Sequence, residues 1–138
     1  MCIRDRLKDF GQYILVVNFM AYLKTFAEWH NVEIKGIDRS MPSATAGNIT
    51  MINFGMGSPN AGTVIDLLTA IMPKALLFLG KCGGLKTHLN KVGDLILHIA
   101  AIRGEGTSND YLPPEVPALP AFALQNAIST TIREYERD

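Results

Sequence analysis

Apolar residues along this chain follow two different rhythms. Three short, nearly unbroken runs, Tyr13 to Asn18, Ile49 to Phe54 and Ala75 to Leu79, have the length of buried strands, and β-branched residues crowd the first of them. Between the runs, apolar positions recur every three or four residues. Phe19, Tyr22, Leu23 and Phe26 form one helical stripe that Asn31 closes, and Val64, Leu67, Leu68 and Ile71 form another. The second helix is expected from Pro59 to about Met72, with Ser58 as its cap, Pro59 at its first position, where a missing N–H costs nothing, and Pro73 as its stop. The stretch from Gly36 to Gly47 is turn-rich and reads as a connection. Asp94 to Ile102 is almost wholly apolar and predicts a fourth strand with both faces covered. A loop rich in proline and glycine, Arg103 to Pro120, precedes a last amphipathic helix carrying Leu124, Ile128, Ile132 and Tyr135.

Strands alternating with helices predict an α/β fold, and a length of 138 residues suits one globular domain with a core of its own. Residues 1–6 differ in character from the rest of the chain and are set aside as a non-native leader, which leaves 7–138 as the domain. Thirteen basic residues balance thirteen acidic ones, so the chain lacks the basic face that nucleic-acid binding requires. The longest uncharged stretch, Ser40 to Ile65, is too broken by polar residues, Gly and Pro to cross a bilayer, so no membrane partner is expected. Cys2 and Cys82 lie far apart without zinc-site spacing, which fits a reduced, cytoplasmic setting. His30, His88 and His98 have no partners at metal-ligand spacing, and neither a metal nor a cofactor is expected.

In an open α/β sheet, ligands bind beyond the carboxyl ends of the strands. Two glycine-rich loops leave such ends, Gly55-Met56-Gly57-Ser58-Pro59 and Gly80-Lys81-Cys82-Gly83-Gly84, and coming from neighbouring parallel strands they are expected to line one crevice. The alternative is that both are simply tight strand exits. A dinucleotide fingerprint fails because Asn60 stands where its third glycine belongs, and a phosphate-binding P-loop fails because no Ser or Thr follows Lys81. Lys81 reads either as a point charge for a phosphate or as a solvated loop lysine, and Cys82 as a small packing residue or a nucleophile. Arg103, Glu105, Thr107, Ser108 and Asp110 form a dense polar set: a lid over a site, or a loop that hydrogen-bonds to itself.

These loops, together with Val92-Gly93-Asp94-Leu95-Ile96, resemble the nucleoside phosphorylase superfamily in order and spacing. Asp9-Phe10-Gly11-Gln12-Tyr13, Pro42-Ser43-Ala44-Thr45-Ala46-Gly47 and the run from Arg103 to Tyr111 are most similar to its bacterial AMP nucleosidase branch. The resemblance implies part of a three-layer α/β/α fold around a mixed, mostly parallel sheet. It implies hydrolysis of AMP, or a related purine nucleotide, to adenine and ribose 5-phosphate, with water as co-substrate and a homo-oligomer as the working form. It places Met56 at the ribose, Gly57 and Ser58 among the substrate-binding residues, Cys82 and Gly83 beside the base, Lys81 at the phosphate, and Arg39 in a neighbouring subunit's site. Purine phosphorylases carry an arginine at the position of Phe78 and a serine or threonine at that of Lys81, both holding orthophosphate, so a phosphate-dependent phosphorylase is the weaker alternative. A non-catalytic nucleotide-binding module is the other. The family's Met-Glu pair and its base-protonating aspartate fall after Asp138 by the same resemblance. The chain therefore reads as the front part of a catalytic domain, inactive by itself, with no catalytic residue among its own.

Overall fold

The computed structural model describes residues 7–86 and 88–135. The leader assigned to residues 1–6, including Cys2, lies outside the described residues. The chain divides after Lys81 into two units.

In the first unit a single turn of 3-10 helix, Leu7–Asp9, leads into β1 (Tyr13–Val17), α1 (Met20–His30), β2 (Ser43–Ala46), β3 (Ile49–Asn53), α2 (Ser58–Leu68) and β4 (Ala75–Leu79). The four strands form one sheet in the order β2-β3-β1-β4. β1 is parallel to both β3 and β4, whereas β2 runs antiparallel to β3. The sheet is therefore mixed and mostly parallel, as expected. Side chains alternate along β1, and each set meets a different helix. Ile14 and Val16 pack with Ile52, Phe54 and the α2 residues Val64 and Leu68. Val17 packs with Ala44, Met51 and the α1 residues Leu23, Phe26 and Ala27. Helix, sheet and helix make three layers, and the fully buried Val64 and Leu68 each contribute roughly 1.5–3 kcal/mol.

Local chemistry sets the element ends. Asn31 closes α1 in the left-handed region at φ 50, which asparagine tolerates, and its N–H donates to carbonyls of the last turn. α2 starts one residue earlier than the sequence suggests: Gly57, at φ 92, is the cap, and Ser58 is already helical. It also stops at Leu68 rather than Met72: beyond Leu68 the chain tightens into three-residue turns, Ala70 N–H donating to Leu67 O and Ile71 N–H to Leu68 O, and Met72, before Pro73, leaves helical geometry at φ 45. The connection expected from Gly36 to Gly47 contains β2, which turns into β3 through Gly47 at φ 56 and Asn48. Gly11 passes so close to this turn that a Cβ there would overlap the Asn48 carbonyl. Its N–H donates to the buried Thr50 Oγ1 at 2.8 Å, and Thr50 also pairs with Thr45 Oγ1 at 2.9 Å, so the polar atom beneath the sheet is satisfied.

The second unit, from Cys82 on, has a 3-10 segment (Thr107–Asp110) and α3 (Phe122–Tyr135). The strand expected over Asp94 to Ile102 does not form: only Ala101 pairs, in an isolated bridge with Ala118. An apolar run becomes a strand only when a neighbour supplies the other half of its ladder, and within this unit the neighbour reaches one residue. None of the described residues here is buried, and Leu95, Ile99 and Ile102 stay exposed.

Candidate active site

Register decides where the loops lie. Val17 is level with Asn53 on one side and with Leu79 on the other, so β1, β3 and β4 all end at the same edge. The exits of β3 and β4 therefore face the same way. They are not adjacent, contrary to the expectation from the strand order along the chain. β1 runs between them, which sets the two exits about 10 Å apart at the usual strand spacing. β1 hands the chain to α1 on one face and β3 hands it to α2 on the other, so the edge between them is a topological switch point, where α/β sheets open a crevice.

The β3 exit is built for close approach. The Phe54 N–H extends the ladder to Val17 O at 3.0 Å, the Gly55 N–H donates to Asn53 Oδ1 at 3.0 Å, and Gly55 and Gly57 adopt φ of 82 and 92. These two glycines bend the chain so that Met56 projects from it, 71% exposed, while Asn60 Nδ2 donates back to Met56 O at 2.9 Å. Ser58 begins α2 at the foot of this bend. The loop carrying Arg39 returns to the same edge, because Pro42 O accepts the Asn53 N–H at 2.9 Å.

At the β4 exit the aromatic residues dominate. The Phe78 ring lies 5.8 Å from that of Phe54 and covers Gly80 so tightly that a Cβ there would sit 2.6 Å from Cζ. Lys81 turns back across the end of β1. Its Nζ stands 4.8 Å from the Phe19 ring centre and 5.6 Å from that of Tyr22, and these two rings meet edge to face. Beside Phe19, Asn18 Oδ1 is buried and accepts no hydrogen bond from a described residue. Phe19 and Tyr22 read in the sequence as core positions of a helical stripe. Their second role depends on a lysine some sixty residues away in sequence, and periodicity carries no such signal.

The remaining candidates belong to the second unit. Cys82 is an exposed free thiol, and Gly83 has open space where a side chain would be. Arg103 is engaged throughout within its own loop. Nε donates to Ser108 Oγ at 2.8 Å, Nη1 to the carbonyls of Pro113 and Val116, and Nη2 to those of Ser108 and Leu112 and to Asn109 Oδ1. Glu105 Oε1 accepts the Ser108 N–H at 2.8 Å, and hydrogen bonds from Ser108 hold its carboxyl below the usual carboxylate range. Thr107 and Asp110 bound the 3-10 turn that this clasp encloses. Among the described residues, no three His, Cys, Asp or Glu side chains converge on a metal position. No helix there is long and apolar enough to cross a membrane.

A family model described as the phosphorylase superfamily matches residues 6–137. The AMP nucleosidase of Escherichia coli K12 is 34% identical over 86 residues, which are 62% of this chain and 18% of that protein. The uridine phosphorylase of Treponema pallidum is 29% identical over 128 residues, 89% of this chain and 49% of that one. Among solved structures, AMP nucleosidase from Bacteroides thetaiotaomicron superposes with a TM-score of 0.91 at 60% identity, covering 96% of this chain and 57% of its own. Purine nucleoside phosphorylase from Toxoplasma gondii, solved with immucillin-H, shares the fold at a TM-score of 0.84 and 23% identity, over 94% of this chain and 54% of that one. The chain thus spans about half or less of the length of these relatives.

Proposed function

This chain belongs to the phosphorylase superfamily, and from that membership we propose that it is the substrate-seating part of an AMP nucleosidase. The reaction splits the C1′–N9 bond of AMP. Water supplies the oxygen that ends on C1′ of ribose 5-phosphate, and adenine leaves with the proton that balances it. Cleavage passes through an oxocarbenium-like sugar, and protonating the departing base is the step for which general acid help is typically worth about 10²–10⁴ in rate. In this reading the chain's own residues bind and orient. Gly57, Ser58 and Met56 line the ribose, Cys82 and Gly83 lie at the base, and Lys81 takes the phosphate. Arg39 completes a second subunit's site in a homo-oligomer that works in purine salvage in the cytoplasm. Arg103, Glu105, Thr107, Ser108 and Asp110 shape a lid segment.

The observation that favours water over phosphate as co-substrate is Phe78. Where the resemblance gives superfamily phosphorylases a guanidinium for orthophosphate, this chain carries an aromatic ring tilted against that of Phe54. An apolar ring supplies none of the bidentate donors that an anion requires. The test is adenine release from AMP by the full-length gene product in phosphate-free buffer, with the sugar product identified. Ribose 5-phosphate carrying label from ¹⁸O-water supports the reading. Release that depends strictly on added phosphate, with ribose 1,5-bisphosphate as product, overturns it in favour of a phosphorylase.

A further inference from the structure

We propose that Phe19 and Tyr22 are positioning residues that prop the Lys81 ammonium at the carboxyl edge of the sheet for the 5′-phosphate, and thereby select a nucleoside monophosphate over a nucleoside. The inference rests on the nucleosidase reading above and adds the device by which the site tells the two substrates apart.

A lysine on a flexible four-carbon stem normally loses side-chain entropy when it is fixed. Here the stem folds back over β1, and Nζ lies within reach of two ring faces at 4.8 and 5.6 Å. The rings stand 82° apart, so together they form a corner rather than a flat shelf. Each such contact attracts a cation by about 0.5–1 kcal/mol at an exposed site, which is enough to bias where the ammonium rests.

The nature of the seat matters more than its strength. A carboxylate would hold the lysine equally well, but it would cancel its charge and occupy its N–H donors. Aromatic faces hold the cation and leave both available. Lys81 makes no hydrogen bond or ion pair with a described residue, so all three ammonium protons remain for an anion. Phe78, on the same strand exit, offers no donors that would draw a second anion there. The ribose loop at Gly55–Ser58 leaves the same edge of the sheet about 10 Å away across β1. A phosphate monoester carries close to two negative charges at neutral pH, whereas the 5′-hydroxyl of adenosine carries none.

The experiment compares AMP, adenosine and ribose 5-phosphate in isothermal titrations of the full-length gene product and its variants. Lys81→Met is expected to weaken AMP and ribose 5-phosphate by roughly 10- to 100-fold, the usual worth of a charge-assisted hydrogen bond, and to leave adenosine within about twofold. Tyr22→Leu and Phe19→Leu should each weaken AMP by about 2–5-fold, and Tyr22→Phe, which keeps the ring face, should restore wild-type binding. If Tyr22→Leu fails to fold, Phe19→Leu and the Tyr22→Phe control carry the comparison. A readout that packing alone would not move is the ring-current shift of the Lys81 Cε protons: upfield in the wild type and in Tyr22→Phe, and relaxed in Phe19→Leu. AMP binding that is intact in the wild type and unchanged in Lys81→Met and Phe19→Leu overturns this inference and leaves the nucleosidase reading standing. Wild-type protein that binds neither AMP nor ribose 5-phosphate overturns both.

Discussion

Replacing Arg103 by lysine keeps the positive charge but removes the planar fork, so it isolates geometry from electrostatics. The guanidinium has five N–H donors and reaches four backbone carbonyls, Ser108 Oγ and Asn109 Oδ1, all between residues 108 and 116. A lysine ammonium has three donors on a point and cannot span acceptors that surround a plane, so about three contacts are lost. At a net 0.5–1.5 kcal/mol each in a half-exposed setting, the loop becomes easier to open by roughly 2–4 kcal/mol, which is about a 30- to 700-fold rise in local exchange. Native-state hydrogen exchange reads this directly at the amides of Asn109, Tyr111, Leu112 and Val116, each of which is bonded within the loop. The sheet amides, such as Phe54 N–H to Val17 O, serve as the internal control. Exchange in 108–116 that rises by less than about threefold would show that the clasp does not hold the loop. Equal acceleration in β1 and β3 would show that Arg103 supports global rather than local stability.

Gly11→Ala should destabilise the first unit by roughly 2–4 kcal/mol, because separating the strand from the Asn48 turn breaks the bonds from Gly11 N–H to Thr50 Oγ1, Gln12 N–H to Asn48 Oδ1 and Tyr13 N–H to Asn48 O. A melting temperature within a degree or two of wild type would refute that packing argument. Gly80→Ala should cost far less, since the clashing atoms belong to a Phe78 ring that is 52% exposed and free to swing; loss of the Phe54–Phe78 signal in near-ultraviolet circular dichroism is the expected mark, and combining it with Phe78→Ala should add no further change. Glu105 has its pKa lowered in the folded loop, so its contribution is complete above the ordinary carboxylate pKa and is lost as pH falls through the lower folded value. The protection factor of the Ser108 amide, its exchange rate set against the intrinsic rate at the same pH, should therefore fall on acidification in the wild type and be already low, and flat with pH, in Glu105→Gln.

Much of the frame was legible in the amino-acid order because it depends on local physics. β1, β3 and β4 were visible as apolar runs within a residue of their ends, and α1 as a stripe closed by Asn31. Motif order also pointed to the right superfamily. What depended on distant partners was not legible. β2 was hidden among turn residues because Ser43 to Ala46 is a strand only by virtue of pairing with β3, and Asp94 to Ile102 failed to become one for want of a pairing partner. The same holds at the candidate site. The glycine loops announced themselves, and so did a loop around Arg103 that could bond to itself, but β1 lying between the glycine loops and the aromatic corner beneath Lys81 arise from contacts between residues far apart in sequence. Periodicity and propensity report what a segment prefers. Which edge a loop occupies, and what its charge meets there, is decided only when strands choose neighbours, because that choice balances burial and hydrogen bonding over the whole sheet.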